Sequence, residues 1–456
     1  MRFYFDITLS RQHRGTPHGL ARVEVSLAKE FVVSGLDVTP IWLNENWDVC
    51  IGDARVVSEI SDGSHSKTAA FENYNLERKS RTPVTQFGLK SQIVKLKEVR
   101  MGNRLITIGT YAISLLPSRL IPFLLPMARR FYFLVAKTVA PFRKFRKSSN
   151  LKSNLVESKS LKVTSDDLVI IAGNDWDRRI YEKVSSSEFE RAKFAVVIYD
   201  LIPYEYLHYS VDIETASRFT YWIGDVAQTA SYLFFISKYS QERFNVMLKN
   251  RCIESKAKQM VINLPPGVLP SSEIAQPNFH HKIEEEFVLV VCTIESRKNH
   301  QILLNAARLA SSRNERFPQL IFIGSPGWGT EHLVHEISSD ETLQTRIIIK
   351  SGISDSELRW LYEKCTAVAY PSIVEGFGLP VFEAAAFKKP IITSDISVFD
   401  EIPHPLRTKV NPYHTEGWKN ALQNAGSETE PLGGWQELHL PTWKENVQQM
   451  IAFMSQ

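Results

Sequence analysis

Glu375 and Glu383 are separated by seven intervening residues in the stretch SIVEGFGLPVFEAAAFKKPIITSD, among them Gly376, Gly378 and Pro380. Each residue type has a chemical use at that spacing. Glycine amides, unshielded by a Cβ, let a ligand approach closely, and a helix starting here adds the partial positive charge of its amino terminus, a combination suited to phosphate. Proline in a first helical turn forfeits no hydrogen bond. The two carboxylates bracket the loop and can accept hydrogen bonds from sugar or ribose hydroxyls. Upstream, VCTIESRKNH (291–300) sets Arg297 and Lys298 where an apolar run gives way to a helix-like segment. Cations at that end of a helix oppose its dipole unless an anion is also present. The competing structural readings are a plain strand-to-helix turn for the first motif and a solvated basic helix start for the second.

These loops need strands behind them, and the hydrophobic pattern supplies two series. In the second, FVLVVCTI (287–294), QLIFIGS (319–325), TRIIIK (345–350), TAVAYPS (366–372) and KPIITSD (389–395) alternate with helix-like stretches such as His300–Ser312 and Asp355–Lys364. In the first, Arg2–Thr8, VTPIWL (38–43), DLVIIAG (167–173), FAVVIYD (194–200), YLFFIS (232–237) and VINLPPGV (261–268) play the same part. Gly15 and Gly19 precede apolar residues at helical spacing, Leu20, Val23, Leu27 and Phe31. Continuous apolar runs with helices between them predict parallel sheets buried on both faces, hence an α/β protein. At 456 residues the chain exceeds one ordinary core, so two facing lobes are expected, with ligands at the carboxyl ends of their strands. The predicted boundaries are 1–275 for the amino-terminal lobe, with an insertion over about 60–165, then 276–430 for the carboxyl-terminal lobe and 431–456 for a terminal packing helix, in which Trp435, Leu438, Trp443, Val447, Ile451 and Met454 recur at roughly helical spacing.

The Ser372–Asp395 string resembles the retaining glycosyltransferases of family 4, which have the two-lobed GT-B fold and carry this two-glutamate signature. The resemblance implies that Glu375 contacts the transferred sugar, that the loop of Gly376, Phe377, Gly378 and Leu379 faces its hydroxyls and the phosphates, and that Glu383 meets the ribose. The 291–300 segment resembles the family's phosphate-binding segment. By that likeness Arg297 and Lys298 bind the nucleotide diphosphate and stabilise the charge of the leaving group. Cys292 stands where relatives usually have glycine. In relatives the loop near Ser351–Ile353 lies by the base, while Leu361 and Tyr362 read as core.

In the amino-terminal half, GTPHGLARVE (15–24), DLVIIAGNDW (167–176) and YDLIPYEYLHYS (199–210) resemble the subgroup that builds bacterial surface polysaccharides, often with mannose. Gly19 is then expected to let the first helix start near the diphosphate, and Asp200 to orient the acceptor or, equally, to cap a turn. Tyr199 takes the place where many relatives have histidine, so no histidine role transfers. His18 and His208 are looser candidates. Retaining transfer in this fold is described as front-face attack, with the donor phosphate taking the acceptor proton. No protein base is then required.

The net charge of +4 conceals a module, because Arg78 to Lys162 holds nineteen Lys/Arg against two acids. Within it, residues 104–147 mix aliphatic and aromatic side chains with cations. The longest uncharged run, Leu105 to Ser118, has 14 residues, and Pro117, Pro122 and Pro126 interrupt the apolar stretch around and after its end; a membrane span needs about 18 or more. Apolar patches flanked by cations suit an anionic lipid surface, or a helical insertion packed on the lobe with an exposed basic face. Nucleic acid would not need Leu115, Leu116, Phe123, Leu124 and Leu125 so densely grouped. Four scattered cysteines indicate neither a zinc site nor a disulfide framework, and the MRFYFDITLS start lacks a secretory pattern. With no acidic D-x-D-like pair evident, no metal and no cofactor is expected beyond the donor substrate itself.

Taken with the resemblance, the expectation is a retaining hexosyltransferase. It would move mannose, with GDP-mannose the favoured donor, to a lipid-linked or oligosaccharide acceptor at the inner face of the cell membrane, in O-antigen or capsule synthesis. A noncatalytic sugar-nucleotide-binding scaffold, and a phosphorylase using inorganic phosphate, are the alternatives.

Overall fold

A computed structural model of the chain describes residues 2–12, 19–44, 48–61, 163–173, 180–187, 189–279, 282–327, 330–402, 404–427, 435 and 439–456. The chain divides into two units, Met1–Thr68 with Leu161–Gln456, and Ala69–Ser160. The second unit, and with it the 104–147 segment, lies outside the described residues.

In the first unit the chain builds two sheets. The amino-terminal sheet contains β1 (Phe3–Asp6), β2 (Val38–Leu43), β3 (Val49–Ile51), β4 (Leu168–Ile171), β5 (Lys193–Ile198), β6 (Tyr232–Phe235) and β7 (Lys258–Val261) in the order β3-β2-β1-β4-β5-β6-β7. Among these strands only the β2–β3 pairing is antiparallel. The carboxyl-terminal sheet runs β10-β9-β8-β11-β12-β13, all parallel, from β8 (Phe287–Val291), β9 (Gln319–Ile323), β10 (Ile347–Lys350), β11 (Ala367–Tyr370), β12 (Ile391–Ser394) and β13 (Arg407–Val410). Both sheets start in the middle and reverse direction, at β1/β4 and at β8/β11, which is the strand order of dinucleotide-binding folds.

The period of two explains the burial. On the amino-terminal sheet Phe3, Phe5, Leu168, Ile170, Ala195 and Val197 enter one cluster, while Tyr4, Val169, Ile171, Phe194 and Val196 enter another on the opposite face. The carboxyl-terminal sheet divides likewise, Leu289 and Ile321 against Val288, Val290, Leu320 and Phe322. Such strands, covered on both faces, read as unbroken apolar runs.

Several expected boundaries move. The strand expected at 261–268 is instead β7 (Lys258–Val261), and the apolar residues beyond it, through Val268, have no regular structure. The chain turns helical at Thr8 and again over Glu341–Arg346, shortening β1 and β10. The terminal helix begins only at Trp443, since Pro441 disfavours helix before it and Thr442 forms a capping box with Glu445. Its buried Val447, Met450 and Met454 join the cluster that contains the inner faces of both sheets. Asn446 donates to the Asn263 carbonyl at 2.8 Å and the Met454 carbonyl accepts from Tyr232 at 3.0 Å, so the last helix packs against the amino-terminal lobe.

Candidate active site

The reversal between β8 and β11 leaves two loops side by side. After β8 a single turn of 3-10 helix, Ser296–Lys298, leads to Asn299, whose left-handed φ of 56° swings the chain into the helix His300–Ser312. The Asn299 side-chain amide donates to the Pro371 carbonyl at 3.2 Å and the Pro412 carbonyl at 2.8 Å, and the Ile373 backbone amide donates to the Arg297 carbonyl at 2.8 Å. These bonds stitch the segment after β8 to the one after β11. Gly378, at φ 125°, then opens the helix Leu379–Ala386, and a Cβ there would lie 2.8 Å from the Phe399 ring.

Stitched in this way, the loops put Glu375 between two cations. Its carboxylate accepts from the Arg297 guanidinium at 2.9 Å and from the Lys298 ammonium, which also reaches the Tyr370 hydroxyl at 2.8 Å. Arg297 holds Glu295 as well, at 3.1 Å. Glu375 and Lys298 are both buried. Burial alone would raise the Glu375 carboxyl, but Lys298 and then Arg297 outweigh it and hold it at about 2. Burial works against the Arg297 charge too, and Glu375 and Glu295 overcome it, raising the guanidinium above its usual range. The result is a desolvated cluster of fixed charges, the kind of site whose electrostatics act strongly on an anion.

The amino-terminal lobe closes onto this loop. Gly376 lies so near that a Cβ would come 2.6 Å from the Tyr199 carbonyl oxygen and 2.7 Å from Asp200 Cβ. Ser237 and Ser240, buried at the start of the helix Lys238–Arg251, donate to the Gly376 carbonyl at 2.6 and 3.1 Å. Asp200 lies just before the short helix Ile202–Glu205 and accepts from the Ile202 amide at 2.9 Å. Burial raises its carboxyl, with Arg297 the chief opposing charge. Tyr199 turns into the fold, where its hydroxyl donates to the Ala172 carbonyl at the end of β4.

The structure thus brings Glu375, Arg297, Lys298, Gly376, Tyr199 and Asp200 together. Glu383 belongs to a neighbouring buried group: its carboxylate accepts from the Tyr362 hydroxyl, and burial raises it while Tyr362 and Arg22 oppose. Phe377 stacks on Phe382 at 4.9 Å, so its ring is core and only its backbone faces the loop. Leu379 is half-buried at the helix start. Gly19 is exposed at φ 56° with nothing within 4 Å of an added Cβ. His208 is exposed, and His18 lies outside the described residues. Cys292 is half-buried against His300, its thiol pushed by desolvation to about 12. Among the described residues no three His, Cys, Asp or Glu side chains are grouped to hold a metal, and no helix is long and apolar enough to cross a membrane.

Three participants were not anticipated. Glu24 is wholly buried and accepts from the Leu9 amide at 3.3 Å and the Ser10 amide at 2.6 Å, shaping the loop after β1 at the other reversal point. Its signal is a glutamate on the apolar stripe of Leu20, Val23, Leu27 and Phe31. Arg22 crosses between lobes, donating to the Gly267 carbonyl at 2.6 Å and pairing with Asp355 at 2.9 Å. Tyr370, the last residue of a fully buried strand, supplies the hydroxyl beside Lys298; only the register places it there.

Two Rossmann-like lobes with a charged cluster at the reversal point of the second define a GT-B architecture, a fold of sugar-transferring enzymes. Residues 272–415, within the carboxyl-terminal lobe, match the family model described as glycosyl transferases group 1. The serotype-specific mannosyltransferase WbdA of Escherichia coli is 30% identical over 252 residues, 52% of this chain and 31% of that protein. The O-antigen chain mannosyltransferase RfbU of Salmonella typhimurium is 29% identical over 172 residues, 38% of this chain and 47% of that protein. The match therefore spans less than half the length of either relative. Anabaena Alr3699/HepE, solved in complex with UDP and glucose, shares the fold with a TM-score of 0.55 at 15% identity, covering 100% of this chain and 99% of that one.

Proposed function

We propose that the chain is a retaining hexosyltransferase that moves mannose from a nucleotide diphosphate sugar, GDP-mannose favoured, to a lipid-linked or oligosaccharide acceptor in bacterial surface polysaccharide synthesis. The observation that carries the reading is the Glu375 carboxylate held between Arg297 and Lys298 in the lobe that matches the glycosyl transferase family. A diphosphate arriving here competes with Glu375 for both cations, because it brings more charge and more acceptor oxygens. The displaced carboxylate is then free for the donor sugar's hydroxyls. As the glycosidic bond breaks, charge grows on the departing phosphate, and Arg297 and Lys298 are already in place to stabilise it without reorganisation. Asp200, against Gly376, orients the acceptor hydroxyl, and the donor phosphate takes its proton. The mannosyltransferase names of the relatives favour the sugar. The basic 104–147 segment favours an anionic membrane surface, with the enzyme peripheral on the cytoplasmic face.

The test is nucleotide release from a panel of GDP-, UDP- and ADP-sugars with mannosylated acceptors. Lys298→Ala and Glu375→Ala are each expected to lower turnover by about two to three orders of magnitude, as loss of one oxyanion-type contact does. Undiminished turnover in both variants, or release from no sugar nucleotide by the unaltered chain, refutes the assignment.

A further inference from the structure

Beyond Asp200 the chain forms the helix Ile202–Glu205 and a 3-10 turn, Leu207–Tyr209, and there gathers three aromatic rings. Tyr206 lies 6.2 Å from His208 and 6.1 Å from Tyr209 between ring centres, and His208 lies 4.2 Å from Tyr209. The turn is held firmly. The Tyr209 amide donates to the Tyr206 carbonyl at 2.8 Å, and Glu205 accepts from Arg243 at 2.7 Å.

A fourth ring comes from the other lobe. Tyr413 is 70% exposed, and the carbonyl of its neighbour Pro412 is pinned by Asn299, the residue after Lys298. The Tyr209 phenol is raised by burial and then by the Tyr413 phenol, so the two lie within electrostatic reach of each other. Three rings line a turn that begins six residues past Asp200 on one lobe, and the fourth stands on a loop tied beside Arg297 and Lys298 on the other.

We propose that Tyr206, His208, Tyr209 and Tyr413 form an acceptor subsite where a pyranose ring of the glycan stacks beside the reacting hydroxyl. The inference rests on the transferase reading and adds the place and chemistry of acceptor binding. A sugar ring has an apolar C–H face and a polar edge, and phenols fixed on a turn offer a matching flat face with hydroxyls around it. An aliphatic lipid tail would leave those hydroxyls unused. Leu207, Val211, Ile213 and Tyr221 are also exposed, so contact with lipid is the alternative outcome.

The full chain, with GDP present, is titrated calorimetrically with α-linked mannose, glucose and galactose trisaccharides. At least one should bind, and Tyr209→Ala and Tyr413→Ala should each weaken it about tenfold, while Tyr413→Phe stays within about twofold, as stacking without the hydroxyl predicts. All variants should keep the wild-type melting temperature, since these rings are outside the core. Binding of no trisaccharide, or binding untouched by both alanines, overturns the proposal. So does loss of flotation with anionic vesicles in the alanine variants at unchanged trisaccharide affinity, which would make these rings a lipid contact. If trisaccharide binding follows the tyrosines but no sugar nucleotide is turned over, the transferase reading fails while the subsite stands.

Discussion

Glu375 is ionised in a place that should penalise ionisation, and the reason is two cations within bonding distance. Removing one partner of a buried pair leaves the other charge uncompensated, at a cost of about 3–5 kcal/mol, whereas replacing both can be nearly neutral. Lys298→Met is therefore expected to destabilise the protein by roughly that amount in urea unfolding, and Lys298→Met with Glu375→Gln to recover most of it. Equal losses in single and double variants would count against the pair. The pH dependence has a definite sign. The Glu375 carboxyl lies at about 2 in the fold against an ordinary 4.5, so its contribution is fully present above pH 4.5 and is lost as pH falls towards 2. With Lys298 gone the folded value rises and acid unfolding should begin at higher pH. Glu375, Arg297 and Lys298 are legible in the sequence because their motifs are local. Tyr370 is not, since a tyrosine in an apolar strand looks like core until the register of β11 against β8 sets it beside the Lys298 ammonium.

At the scale of the loop, the glycines between the two glutamates have different tasks. Gly378 is required by its backbone, at φ 125°, and by Phe399 at 2.8 Å from a Cβ. Gly378→Ala is expected to cost about 1–3 kcal/mol, read as a lower melting temperature. Phe399→Leu should not restore it, because the backbone strain persists. Gly376 is required by the opposite lobe, where Tyr199 and Asp200 leave no room for a methyl. Gly376→Ala should therefore reduce transfer far more than stability, as the loop backs away from Asp200; a full wild-type rate would contradict that contact. Helices such as His300–Ser312 and Asp355–Lys364 coincide with their apolar periodicity. β7 and the terminal helix do not, because an apolar run can be buried without regular structure and a cap outranks a hydrophobic pattern.

Across the whole first unit, lobes built from distant parts of the chain are joined by few but specific contacts. Arg22 reaches Asp355, Glu401 accepts from the Lys238 and Tyr239 amides at 2.7 and 2.5 Å, and the final helix returns to the amino-terminal lobe. A chain ending at Thr442 loses buried Val447, Met450 and Met454, each worth roughly 1.5–3 kcal/mol, and uncovers part of the core around Tyr232 and Phe234. It should give little soluble protein and melt well below the full chain; an unchanged melting temperature would refute the packing. The amino-acid sequence alone determined the α/β class, the two strand series and the motifs that carry Glu375, Arg297 and Lys298, because hydrophobic period and motif spacing act over a few neighbouring residues. Tertiary structure decided what Asp200, Arg22 and Tyr370 stand beside. Each draws its setting from a segment distant in the chain, brought near only by sheet order and by the meeting of the lobes, and no local pattern encodes that distance.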